Sequence, residues 1–146
     1  MISTVILNPT QEFGGDGRRV EAEFAGGDMT SNGGVLLLRA ADRYLGLTAA
    51  VARGLVDPRR GPRIRHSLLD QLRQRVNGIA LGYEDLNDHD ALRHDLALQT
   101  VVDRDRPLAN APTLCRFENR ADRRTAWTIQ EVLVEQGHHL HASFHI

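Results

Sequence analysis

A mainly α-helical domain with one small β element is the fold class this sequence predicts, and three observations carry it. Apolar residues recur at steps of three and four in residues 65–95, RHSLLDQLRQRVNGIALGYEDLNDHDALRHD. Leu68, Leu69, Leu72, Val76, Ile79, Ala80 and Tyr83 share one stripe, and Gln71, Arg73, Gln74, Arg75 and Asn77 fall mostly on the other face. Helix stops and starts punctuate the chain at Gly46, Asn87, Pro112 and Asp122. Strand-type alternation is confined to the N-terminal part, chiefly residues 20–24, where Val20, Ala22 and Phe24 alternate with Glu21 and Glu23.

In chain order, residues 1–19 hold a short β-like run at 3–7 and a Gly-rich segment, and predict a poorly ordered start. The run Thr30-Ser31-Asn32-Gly33-Gly34 leads into a helix over 35–45, capped by Ser31 or Asn32, with Leu37, Leu38, Ala41 and Leu45 inward and Gly46 as its stop. Thr48 caps a short helix over 49–55, which Asp57-Pro58 ends. A basic loop, 59–62, opens the long central helix. Gly78 inside that helix predicts the close approach of a crossing helix. A tight polar elbow then joins it to a shorter helix capped by Asn87, and residues 96–102 add one or two turns. PTLCRFEN (112–119) makes another short helix with Leu114 and Phe117 inward, ended by Asn119 in the left-handed conformation. Asp122 caps a last helix over 123–136, with Ala126, Ile129 and Leu133 inward. Residues 137–146 lack periodicity and form a tail after Gly137.

Length and composition narrow the class. The 146 residues, 41% hydrophobic and 25% charged, suit one soluble domain with a real core. No apolar run approaches the length of a membrane span, and the start has no secretory pattern. The single Cys115 rules out an internal disulfide and suits a reducing cytoplasm. Net charge is −1, but it is segregated: residues 57–76 carry six Arg against two Asp, and residues 84–95 five acids against Arg93 alone. All eighteen basic residues are Arg. A GC-rich coding sequence explains that bias, so it is not evidence of nucleic-acid binding.

Three constellations bear on chemistry. Asp85, Asp88, His89, Asp90, His94 and Asp95 invite a metal reading, yet no metal-ligand motif is present, and caps and solvated surface explain them. The histidines after Gly137 and the lone Cys115 also lack a motif, and the Gly-rich run at 30–34 matches no nucleotide-binding fingerprint. The arginines are more suggestive. Arg63, Arg65, Arg73 and Arg75 cluster before and along the central helix, and Arg116, Arg120, Arg123 and Arg124 form a second group around PTLCRFEN. Two basic groups beside short helices suit phosphate contacts, with Arg116 and Arg120 placed to read bases. The competing explanation is a solvated face paired to the acidic elbow.

The run at 65–95 resembles the N-terminal region of DDE-type transposases of bacterial insertion sequences, the group whose domain is called DDE domain group 1. TSNGGVLLLRAADRYLGL (30–47) and PTLCRFEN match the same family in order, and the resemblance covers roughly residues 20–133. It implies an enzyme family that cuts and joins DNA at element ends, with two Asp and one Glu of an RNase H-like core holding two Mg²⁺. The matched blocks precede the first of those carboxylates. The resemblance therefore implies no catalytic residue and no metal in this chain, Mg²⁺ being expected only for the full-length enzyme. It implies a transposase N-terminal domain at 20–136, truncated before the catalytic core and followed by a tail outside the family. That domain would bind element-end DNA or assemble with a full-length transposase or a second copy, in the cytoplasm and away from membranes. The alternative is a stand-alone basic-faced module that binds protein or RNA. A small metal-dependent hydrolase built on the elbow ranks below both.

Overall fold

The computed structural model describes residues 30–59 and 61–143. Seven helices follow in order among them: α1 (Val35–Leu45), α2 (Leu47–Gly54), α3 (Leu68–Ala80), α4 (His89–Leu92), α5 (Leu96–Val102), α6 (Ala111–Glu118) and α7 (Arg123–Ser143), with 3₁₀ turns at Gly61–Arg63 and Leu86–Asp88. The protein is mainly α. The β element expected at residues 20–24 and the segment 1–19 lie outside the described residues.

Local chemistry sets most of these boundaries. Gly46 closes α1 at φ 65°, a left-handed conformation that glycine adopts without strain, and its N–H returns to the Asp42 carbonyl. Ser67 opens α3 through a reciprocal capping box with Asp70. Asp95 and Asn110 cap α5 and α6, and Asp122 accepts the Thr125 N–H at the start of α7.

Several expected details differ. Neither Ser31 nor Asn32 caps α1 by its side chain. Asn32 is buried and donates instead to Asp95 at 3.1 Å, while Tyr83 donates to its Oδ1 at 3.2 Å. Thr48 lies inside α2, its N–H donating to Asp42 at 2.8 Å, so α2 starts two residues earlier than a Thr48 cap requires. Asp85, not Asn87, caps the elbow's 3₁₀ turn, and Asn119 stays right-handed at φ −66°. α7 runs through Gly137 to Ser143. The aperiodic tail expected from residue 137 thus continues the helix: each further residue adds a backbone hydrogen bond, and that outweighs one internal glycine.

The core gathers around α5. Leu92, Leu98, Val102 and Leu108 form one buried cluster and Val35, Ala97 and Val101 another, with Leu81 packed against both. α3 and α1 pack on α5, α2 packs on α3, and α7 lies against α2 with Thr128 and Val132 over Gly54.

Which face of each helix is buried is the main departure from the periodicity. α3 buries Leu72 of the expected stripe but turns much of its polar side inward as well: Gln71 and Gln74 are each only 1% exposed and Asn77 is buried, whereas Val76 and Ile79 are exposed. Gln74 makes this tolerable because its amide both donates to the Ala109 carbonyl at 2.8 Å and accepts the Ala109 N–H at 3.0 Å. A buried amide satisfied in both directions costs little. Likewise α1 buries Val35 and Arg39 and exposes Leu37, Leu38 and Tyr44. On α7, Ala126 and Leu133, expected inward, are exposed, and Trp127 and Val134, which belong to the flank of that stripe, are exposed too.

Gly78 does mark a close approach, but by a side chain and not a crossing helix. A methyl there would stand 2.7 Å from Cε1 of His89, which is fully buried beside Gln74. Burial, reinforced by Arg75, pushes the His89 imidazole below its ordinary range and keeps it neutral.

Candidate nucleic-acid interface

The arginines separate into two populations. Arg73 donates to Thr48 Oγ1 and to Asp103 Oδ2, both at 3.2 Å, and lies 3.7 Å from Asp42. Arg75 pairs with Glu118 and donates to the backbone carbonyls of Tyr83, at 3.2 Å, and Glu84, at 2.8 Å. Both side chains are clamps between elements. Arg123 and Arg124 stand exposed in the first turn of α7.

Arg63, Arg65, Arg116 and Arg120, the other four arginines singled out in the sequence, come together. They line a cleft of about 460 Å³ with Arg59, Arg93, His66, Gln71, Asn110, Thr113 and Ile64. Three parts of the chain make its walls. The loop before α3 is held by Arg59, whose guanidinium engages both Asp57 oxygens, at 2.8 and 2.6 Å, and the His66 carbonyl at 3.0 Å. Helix α6 supplies Thr113 and Arg116, the latter donating to Thr113 Oγ1 at 3.1 Å. The turn after α4 supplies Arg93, positioned through its own carbonyl, which accepts from Leu108 N at 3.0 Å and Gln99 Nε2 at 3.1 Å.

Among the described residues, six guanidiniums therefore face one cleft, and none of the described lining residues is a carboxylate. Asp57 answers Arg59. None of the other five forms a direct ion pair with a carboxylate among the described residues, although Asp57 also attracts Arg120 through space, and Nε of Arg93 is buried without a hydrogen-bond partner. Crowding of like charge registers on the groups themselves. Burial, then the nearby Arg59, lowers the Arg120 pKa, and burial with Arg104, Arg106 and Arg93 outweighs Asp70 to hold His66 below its ordinary range. Such a cluster is completed by anions. Guanidinium presents paired donors that match two oxygens of one phosphate.

Arg59 and Arg93 were missed in the sequence. Arg59 belonged to a loop read only as basic, and Arg93 was the single base in an acidic run. That isolation was the available signal.

Three acids of that run, Asp85, Asp90 and Asp95, have other partners. Asp85 accepts the Asn87 N–H and Asp90 the Ala111 N–H, both at 2.9 Å. Asp95 accepts Leu98 N at 2.9 Å on one oxygen, and Thr30 Oγ1 at 2.7 Å with Asn32 on the other. Their oxygens cap helices and pin the loop before α1. No three metal-ligating side chains converge among the described residues.

Over residues 14–145 the chain matches the family described as Transposase DDE domain group 1. It belongs to that family. The match extends beyond the roughly 20–133 of the resemblance and takes in most of the segment after residue 136. No curated protein and no solved structure matches the chain significantly. Family membership attaches the chain to DNA transposition, and no helix among the described residues is long and apolar enough to cross a membrane.

Proposed function

We propose that this chain is a DNA-holding, non-cleaving part of a DDE transposase, and that the arginine cleft is where it grips phosphates. The observation that carries the reading is the excess of guanidinium over carboxylate around one concavity. The family supports DNA as the polyanion. Relative to the sequence expectation the proposed contacts narrow to Arg63, Arg65, Arg116 and Arg120 and gain Arg93. Arg73 and Arg75 are assigned to the fold, and Arg123 and Arg124 to an outer flank. Assembly with a full-length transposase or a second copy is supported by the apolar side chains left open on α1, α3 and α7.

The test is fluorescence anisotropy with a labelled duplex that carries a single-stranded overhang, titrated at several salt concentrations. Each phosphate contacted should contribute about −0.7 to −0.9 to the slope of log affinity against log salt. The combined substitution Arg63→Ala, Arg65→Ala and Arg116→Ala should flatten that slope by up to about three such contacts. No binding at low salt, or an unchanged slope in the variant, overturns the reading in favour of a protein- or RNA-binding module. Incubated with DNA and Mg²⁺, the chain should leave the DNA intact. Specific cleavage lost on Asp88→Ala would contradict the non-cleaving assignment.

A further inference from the structure

The cleft has a shape as well as a charge, and the two together restrict the form of DNA it accepts. Its volume of about 460 Å³ falls in the range of about 300–1,000 Å³ typical of sites that enclose small ligands. A duplex is a convex rod with phosphates on its outside. Laid across this opening, it reaches the exposed rim, Arg63, Arg65 and Arg116. The interior guanidiniums, Arg93 with its buried Nε and Arg120 donating to the buried Gln71, stay out of its reach. A single strand is thin and flexible enough to turn its phosphates inward to both.

We infer that the cleft holds an unpaired stretch of DNA by its backbone, in preference to the side of a duplex and with little regard to base sequence. The inference rests on the reading of the cleft as a phosphate site. Indifference to sequence follows from the lining. Proteins that bind single strands commonly stack bases on aromatic side chains. Among the described residues around the cleft there is no Phe, Tyr or Trp, and Ile64 is the one apolar side chain. The grip is left to charge.

The experiment compares the full chain's affinity for a short oligothymidylate, a short oligodeoxyadenylate and a blunt duplex of equal length at one salt concentration. The single strands should bind about tenfold or more tightly than the duplex, since one or two added guanidinium–phosphate contacts supply that factor. The two single strands should differ by only a few-fold. Arg93→Ala should weaken single-strand binding by a larger factor than duplex binding and so shrink the preference for single strands, and Arg120→Gln should do the same should Arg93→Ala fail to fold. Salt-dependent binding in which the duplex matches or exceeds the single strands overturns this inference and leaves the DNA reading standing. Absence of binding to all three removes both.

Discussion

Around Asp103, the guanidiniums of Arg39, Arg43 and Arg73 converge on one carboxylate, with Asp42 close by. Across the same central helix, six guanidiniums line a cleft in which, among the described residues, Asp57 is the one acid that ion-pairs with any of them, through Arg59. Both regions use one residue type, and short stretches of chain contribute to both: Arg65 to the open cluster, Arg73 to the closed one. The difference lies in where the acids are. The closed cluster joins α1, α2, α3 and the end of α5, so its charges serve the fold. The open one has positive charge in excess and a cavity to receive an anion. Counting arginines cannot separate these roles; tracing each one's counter-charge does.

Perturbing the closed side should cost stability and spare binding. The largest effect is expected at Gln74, on the buried face of α3. Gln74→Leu leaves the Ala109 N–H and carbonyl buried and unpaired, each worth about 1–3 kcal/mol, so a loss of about 3 kcal/mol should appear in the urea midpoint. Asp103→Asn should follow. It removes the shared charge but keeps a residue tolerant of the left-handed conformation at φ 62°. Arg39 is 3% exposed and Asp103 37%, between the limits of buried and surface ion pairs, which gives about 2 kcal/mol. In both variants the salt slope of DNA binding should stay as in the parent chain.

Acid should weaken the fold as well, through His89 in the interior and His66 at the cleft. His89 and His66 have folded pKa values below the ordinary His value of about 6.5. The unfolded chain therefore takes up these protons first as pH falls through about 6.5, and stability declines from there downward. Urea midpoints at pH 7.5 and 5.5 test this, and a rise on acidification would show that these imidazoles gain a partner for their charged form. The smallest effect belongs to the open side. Arg63→Ala with Arg65→Ala should change stability by less than about 0.5 kcal/mol while weakening DNA binding. A clear loss of stability there would erase the distinction between the two clusters.

The sequence carried the helices further than their orientation. The bounds of α1, and Asp122 as the cap of α7, were legible because Gly and Asp act locally on the backbone. The buried faces were not. Periodicity locates an apolar stripe such as Leu37, Leu38 and Leu45, or Val76 and Ile79, but not which elements will stand against it. Gln71, Gln74 and Arg39 are buried only because Arg120, Ala109 and Asp103 arrive from distant parts of the chain. The site was legible to the same extent. Arg63, Arg65, Arg116 and Arg120 showed as local charge clusters, whereas Arg73 and Arg75 looked no different, their acids Asp42, Asp103 and Glu118 being remote in sequence.

The most direct test of the division between closed and open arginines is their reactivity towards phenylglyoxal, read residue by residue by mass spectrometry with and without DNA. Arg63, Arg65 and Arg116 should react readily in the free chain and be protected by DNA. Arg73 and Arg75, held in ion pairs, should react slowly in both states. Equal protection of the two sets, or protection confined to Arg123 and Arg124, would contradict the assignment of the cleft as the DNA-holding site.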